Sequence, residues 1–336
     1  GLNGRRMKEE VIRRPFERYS MFRLRLVPDN TNIPFMRGRY AGLIVSALLS
    51  LASVGLYFYP GLNYGIDFRG GIVIEARTPQ AADFESLRHT LNQLNMGQVG
   101  LQEFGSPQDV LIRLERQPGD DAAQQVAADK VRATLAKDIP GTTVRRVEAV
   151  GASVSSELFF NGMLSLGLAM VAMLVYIWFR FEWQFGFGAV VTLLLDVTKI
   201  VGFYAITGLQ FNLTAVAAIL TIMGYSINDK VVVYDRMREN LRIYKKMPLR
   251  ELIDRSINET LNRTLGTSMC TLLSIIPLAF FGGEALQDFG IVLIFGIFLA
   301  TSSSIFIAAP ILLFLGENRL RRGAPATEAA QPAPTP

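Results

Sequence analysis

Six stretches of about twenty mostly apolar residues dominate this sequence. They lie at Tyr40–Tyr59, Leu158–Phe179, Phe185–Thr207, Leu213–Tyr234, Thr264–Phe281 and Phe289–Leu315. Each is long enough for a helix to cross the roughly 30 Å hydrocarbon core of a bilayer. In that core every backbone N–H and C=O must find its partner within the protein, which a helix achieves by itself. The chain is therefore expected to be a polytopic α-helical membrane protein with six transmembrane helices, at residues 40–59, 158–179, 185–207, 213–234, 264–281 and 289–315. The first stretch is too long for a signal-peptide core, and it ends in the aromatic run Tyr57-Phe58-Tyr59 before Pro60 rather than in a small-residue cleavage site.

Lys and Arg in the flanks give the orientation. Residues 1–39 carry ten basic residues against four acids, which places this N-terminal segment in the cytoplasm. Six crossings then put Arg180–Gln184, the amphipathic loop 235–263 and the tail 316–336 on the same side, and each of these opens with or contains Arg or Lys. The connections on the other side, Gly208–Gln210 and Gly282–Asp288, contain none. The net charge of +5 is accounted for by cytoplasmic flanks facing anionic lipid, so no nucleic-acid partner is needed to explain it. Within the loop, Leu249, Leu252, Ile253, Ile257 and Leu261 share one helical face, which predicts a helix lying along the membrane surface. The tail, rich in Pro and Ala, is expected to be disordered.

Residues 60–157 are long enough for one small extracytoplasmic domain. Strands are predicted at Gly71–Arg77, Val99–Phe104, Val110–Leu114 and Thr142–Val150. Helices are predicted at Ala81–Leu94 and at Asp120–Lys137, the latter capped by Asp120. This βαββαβ order is that of the ferredoxin-like α+β fold. The domain holds ten basic and thirteen acidic residues and no His/Cys cluster, so no metal or cofactor site is expected. His89, the chain's single histidine, lies off the apolar helix face and reads as a solvated surface residue. The run Gly65-Ile66-Asp67-Phe68-Arg69-Gly70-Gly71 lacks the spacing of a phosphate loop. Its residues Gly65, Asp67, Gly70 and Gly71 are read as a structural motif where the backbone turns from the first span into the domain.

The chemistry is expected inside the membrane, where one charge at a helix centre costs about 2.5–3.5 kcal/mol on insertion scales. Asp196 and Lys199, three residues apart in the third span, share a helix face; a packed ion pair and a place in a proton path are both open readings. Asp229 lies in the fourth span. Arg263 and Thr267, four apart, enter the antiparallel fifth span from the same side and are expected to face it. A carboxyl that is ionised beside a partner in one state and neutral in another can carry a proton, whereas Lys230 and Arg263 could also snorkel at the membrane border. One proton falling through about 100 mV releases about 2.3 kcal/mol. Cys270, the single cysteine, is expected to be a packing residue.

Three motifs carry a resemblance: the glycine run above, Gly224-Tyr225-Ser226-Ile227-Asn228-Asp229-Lys230-Val231-Val232-Val233-Tyr234-Asp235-Arg236-Met237-Arg238-Glu239-Asn240, and Asn262-Arg263-Thr264-Leu265-Gly266-Thr267-Ser268 followed by Phe281-Gly282-Gly283. In this order and layout the chain resembles the SecD/SecF family of bacterial protein-export membrane proteins, within the resistance-nodulation-division superfamily. The resemblance implies that two six-helix halves pair, the other half being SecD. It further implies that the pair uses the proton motive force, with protons as the coupling ion, to draw an unfolded preprotein from SecYEG after SecA has driven it in, with YajC/YidC as further partners. It assigns the proton relay to Asp229, Arg263 and Thr267, and the location to the bacterial inner membrane. Where this chain has Cys270 the family often has threonine. Two alternatives remain: half of a small-molecule or lipid exporter of the same superfamily, and a purely structural docking subunit. A membrane enzyme would need a convergent His, Cys or metal cluster.

Overall fold

The computed structural model describes residue 28 and residues 31–315, Gly105 excepted. The expectations for the basic N-terminal segment up to Asn30 and for the tail 316–336 fall outside the described residues. In chain order the elements are α1 (Arg39–Phe58), β1 (Asn63–Tyr64), α2 (Ile66–Arg69), β2 (Gly71–Arg77), α3 (Phe84–Asn92), β3 (Val99–Phe104), β4 (Ser106–Leu114), α4 (Asp121–Asp138), β5 (Thr143–Val150), α5 (Ala152–Arg180), α6 (Trp183–Thr207), β6 (Gln210–Phe211), α7 (Leu213–Ile243), α8 (Leu249–Phe281), α9 (Gly283–Ser303) and, after a π-helical turn Ser304–Ala308, α10 (Ala309–Leu315).

Six helical stretches among the described residues are long and apolar enough to cross a membrane: α1 with its lead-in from Phe35, α5, α6, α7, α8, and Leu286–Leu315 through the π-turn. They are not equivalent. At least half of the apolar window of α6, of α7 and of the last span is buried in the protein, against 6% of that of α5. The centre of the bundle is thus built by α6, α7 and α9, and α5 presents Phe160, Leu168, Trp178 and Phe179 outward. Lipid tails are as apolar as leucine, so close packing holds such helices together. Small residues allow it here: a Cβ on Gly202 of α6 would overlap Ser53 of α1, and one on Gly296 of α9 would overlap Ile222 of α7.

The fourth and fifth spans differ from the expectation of a surface-lying loop. Helix α7 continues to Ile243, and after Tyr244–Pro248 helix α8 runs unbroken for 33 residues, about 50 Å. Nothing between Leu261 and Thr264 breaks a helix, so the amphipathic segment and the fifth span are one element. The apolar face Leu249, Leu252, Ile253, Ile257 and Leu261 is buried in the protein core together with Met36, Met237 and Leu241, not laid on lipid. Polar pairs lock the same end: Asp254 Oδ1 accepts from Met36 N at 2.8 Å, Asn258 exchanges two hydrogen bonds with the Ile33 backbone, and Arg236 and Arg255 both bind Glu259.

Residues 71–150 form a four-stranded antiparallel sheet in the order β3-β4-β2-β5, with Ile74 of β2 between Ile112 and Val147. With α3 and α4 this is the ferredoxin-like arrangement. Asp83 caps α3 by accepting from Glu85 N and Ser86 N, and Asp120 caps α4 by accepting from Ala123 N. The alternation of β2 and β4 sends Ile72, Ile74, Val110, Ile112 and Leu114 into one core with Leu87 and Leu91 of α3 and Val131 and Leu135 of α4. His89 is exposed. The opposite sheet face, with Val73, Glu75, Arg146 and Glu148, lines a cleft with Asp67, Asn212 and Asp288 at the ends of the spans.

Candidate functional site

The most polar region inside the bundle forms where α6, α7 and α9 meet. Asp196 lies on the buried face of α6, 1% exposed. Its Oδ2 accepts hydrogen bonds from Ser226 Oγ at 2.9 Å, Ser303 Oγ at 2.8 Å and Lys230 Nζ at 3.1 Å. Ser226 and Lys230 are four apart on α7 and so share one helix face. Lys230 also hydrogen-bonds Ser226 Oγ, and it lies 3.4 Å from Ser303 Oγ. Lys199, one turn along α6 from Asp196, stands 3.9 Å from Asp196 Oδ1. That distance is an ion pair without a hydrogen bond, and both Asp196 Oδ1 and Lys199 Nζ lack a hydrogen-bond partner among the described residues.

Asp229 lies on the neighbouring face of α7 and is 7% exposed. The hydroxyls of Thr264 in α8 and Ser304 in the π-turn lie beside its carboxyl, yet among the described residues Asp229 Oδ2 and Thr264 Oγ1 have no hydrogen-bond partner. Two carboxylates and two ammonium groups therefore share one buried region, formally neutral overall. Two buried charges stay ionised only when each offsets the other and hydrogen bonds complete the rest. Here one carboxylate oxygen is fully provided for while another, on Asp229, is not. Such half-satisfied buried groups mark a place where a proton or water can change the balance. The π-helical turn starts at this site: Ser303, just before it, donates to Asp196, and Ser304, its first residue, lies beside Asp229 while donating to the Ala300 carbonyl at 2.9 Å. Such turns are frequent where a helix has been adapted to function.

Sequence reasoning placed Arg263 and Thr267 against Asp229, and the structure does not bring them there within this chain. Thr264 and Ser268 occupy the buried face of α8, while Arg263 and Thr267 are exposed. A shift of one residue rotates a side chain by about 100° around a helix, and the preceding residue of each pair therefore points outward. Thr267 turns its hydroxyl back to the Arg263 carbonyl. Cys270, expected to pack internally, is also exposed. Together with Ser274 of α8 they make a stripe at helical spacing left unburied by the bundle, and Thr221, Gly224 and Asn228 make another on α7. Lys199 lies 3.9 Å from Asp196, but the shorter contact of that carboxylate is to Lys230, which is 1% exposed and does not snorkel. The signals overlooked were the Ser226/Lys230 spacing and the hydroxyl run Thr301-Ser302-Ser303-Ser304 in an otherwise apolar span.

The glycine motif sits at the other end of α7. Gly70 and Gly71 take φ of +72° and +125°, and a Cβ on Gly71 would stand 2.7 Å from the Leu114 carbonyl oxygen, so glycine is required where β2 begins. Asp67 Oδ2 accepts from Leu213 N at 3.0 Å.

The profile described as "Protein export membrane protein SecD/SecF, C-terminal" matches residues 130–318, and that of the "SecD/SecF GG Motif" matches residues 60–82. The protein translocase subunit SecF of Rickettsia bellii (strain OSU 85-389) is 42% identical over 306 residues, which cover 90% of this chain and 99% of that one. The protein translocase subunit SecDF of Brucella abortus biovar 1 is 44% identical over 295 residues, 88% of this chain but 38% of that one. The crystal structure of SecDF from Thermus thermophilus, titled a translocon-associated membrane protein, superposes with a TM-score of 0.77 at 32% identity, over 86% of this chain and 39% of that one. This chain thus spans about two fifths of the SecDF chains and nearly the whole of the SecF relative. A six-span bundle with one ferredoxin-like domain, a glycine motif at their junction and matches of this extent place the chain in the SecD/SecF family of protein export membrane proteins.

Proposed function

We propose that this chain is the SecF-type subunit of a protein translocase, and that it couples the proton motive force to preprotein movement through the Asp229 region and the adjoining Asp196, Lys199 and Lys230. The observation that carries this reading is Asp229 itself: a buried carboxyl beside two hydroxyls, one oxygen without a hydrogen-bond partner among the described residues, in a neutral cluster of four charges. Protonation there would remove one charge from the cluster and leave the two ammonium groups to redistribute around Asp196. One proton crossing about 100 mV supplies about 2.3 kcal/mol, enough to shift a two-state bundle by more than tenfold.

The partner half would be SecD. The exposed polar stripes of α7 and of α8 support this, since Arg263, Thr267 and Asn228 would be costly against lipid and fitting against a second polar bundle. In such a pair Arg263 and Thr267 complete the relay from outside Asp229 rather than by direct contact within this chain. The basic flanks support cytoplasmic termini and an extracytoplasmic α+β domain in a bacterial inner membrane. SecYEG, SecA, YajC/YidC and an unfolded preprotein enter as partners through family membership. The test is translocation of a preprotein by vesicles containing SecYEG, SecA, SecD and this subunit, with and without an imposed proton gradient. Asp229→Asn should abolish the gradient-dependent part while SecD is still retained in a pull-down. Unchanged gradient dependence would favour a purely structural docking subunit.

A further inference from the structure

On its C-terminal side the α+β domain runs straight into the bundle, Gly151 alone separating β5 from the span α5. On its N-terminal side residues 59–70 lie between the span α1 and β2, and Gly70 alone separates the short helix α2 from β2. The segment ahead of β2 also clasps the start of α7. Asn63 Nδ2 donates to the Gly208 carbonyl at 2.9 Å, and β1 pairs with β6 in parallel, Asn63 opposite Gln210 and Tyr64 opposite Phe211. Gly65 N donates to the Phe211 carbonyl at 3.0 Å, and the approach is so close that a Cβ on Gly65 would stand 2.9 Å from Asn212 Cβ. Phe68 packs on Phe159 of α5 and on Phe211.

The clasp ends on the helix itself. The first N–H groups of a helix have no partner within it. In α7 the Ala215 N–H is taken by Asn212 next to it, whereas the Leu213 N–H is taken by Asp67, 146 positions earlier in the chain. A carboxylate suits this position because it also meets the positive end of the helix dipole. Asp229 lies sixteen residues further along the same uninterrupted helix, about 24 Å away. The helix that holds the buried carboxyl is therefore fastened at its far end to the turn from which the domain's first strand departs.

We infer that Asp67 is a positioning residue that holds the domain to the outer end of α7, so that a change of protonation at Asp229 reaches the domain through that helix. This rests on the relay reading of Asp229. Removing Asp67 should uncouple the two ends: proton movement continues and the domain no longer follows.

The experiment uses the full complex with SecD, SecYEG and SecA in proteoliposomes, and reads both gradient-dependent translocation and proton uptake by an enclosed pH-sensitive dye. Asp67→Ala is expected to lose gradient-dependent translocation and keep proton uptake, and Asp67→Asn, which retains an acceptor oxygen, is expected to recover most of the translocation. Asn63→Ala removes another bond of the same clasp and should show the same split more weakly, which keeps the inference testable if Asp67→Ala fails to assemble. Full translocation in Asp67→Ala, joint loss of translocation and proton uptake, or wild-type behaviour of Asn63→Ala beside an Asp67→Ala that does not assemble would each overturn it. Asp229→Asn measured alongside distinguishes the two ideas: if it keeps both readouts the relay reading fails, whatever Asp67 does.

Discussion

Lys230 Nζ stands 3.1 Å from Asp196 Oδ2, and both side chains are 1% exposed. This pair joins α7 to α6 at the centre of the bundle, and Ser226 and Ser303 donate to the same carboxylate oxygen. Removing one member leaves the other charge buried without its main partner, which typically costs about 3–5 kcal/mol, whereas removing both together can be nearly neutral. Lys230→Met is therefore expected to lower the thermal unfolding midpoint of the purified subunit markedly, and Asp196→Asn combined with Lys230→Met should restore most of the loss. Equal destabilisation in the single and double variants would show that the pair is not a unit.

Arg263 lies on the outward face of α8, so its role depends on the partner half. Arg263→Gln should leave the stability of the isolated subunit within about 0.5 kcal/mol, as for exposed positions generally. In the complex it should reduce gradient-dependent translocation severely. Thermal unfolding of the subunit alone and vesicle translocation check the two halves of this statement.

Cys270 is the only cysteine and it is exposed on the same face. A thiol-reactive probe should label it readily in detergent when the subunit is alone and slowly once SecD is bound. Equal labelling rates would place the partner on another side of the bundle.

Gly71 combines a φ of +125° with a carbonyl oxygen 2.7 Å from the place of a Cβ. Gly71→Ala should destabilise the α+β domain by about 1–3 kcal/mol, read as faster proteolysis of the domain in the folded subunit. The same substitution at Gly38, where no atom comes within 4 Å of the added Cβ, should have little effect.

Much of the architecture was legible because hydrophobic runs and alternation are local signals. The limits of β2 and β3 and the cap Asp120 follow from residues within a few positions of each other. The continuity of α8 was less visible, because an amphipathic stretch next to an apolar one fits both a surface helix and a longer helix, and only the core formed with Met36 and Met237 decides between them. At the site, Asp196, Lys199 and Asp229 stood out as charges in apolar helices. For Lys230 the sequence leaves snorkelling at the membrane border open, because its burial depends on Asp196 and Ser303 from two other helices. Arg263 and Thr267 were placed one residue out of phase with Thr264 and Ser268, a rotation that hydrophobic pattern alone does not resolve in a helix with hydroxyls on two faces.

The central claim is that Asp229 carries protons, and the most direct measurement is proton uptake into proteoliposomes containing this subunit with SecD and the translocon engaged on a preprotein. An imposed gradient should drive uptake with the wild-type subunit, and Asp229→Asn should reduce it to the level of liposomes without the complex. Uptake that is unchanged in Asp229→Asn, with the complex intact, would contradict the account and leave the buried charges as a structural cluster.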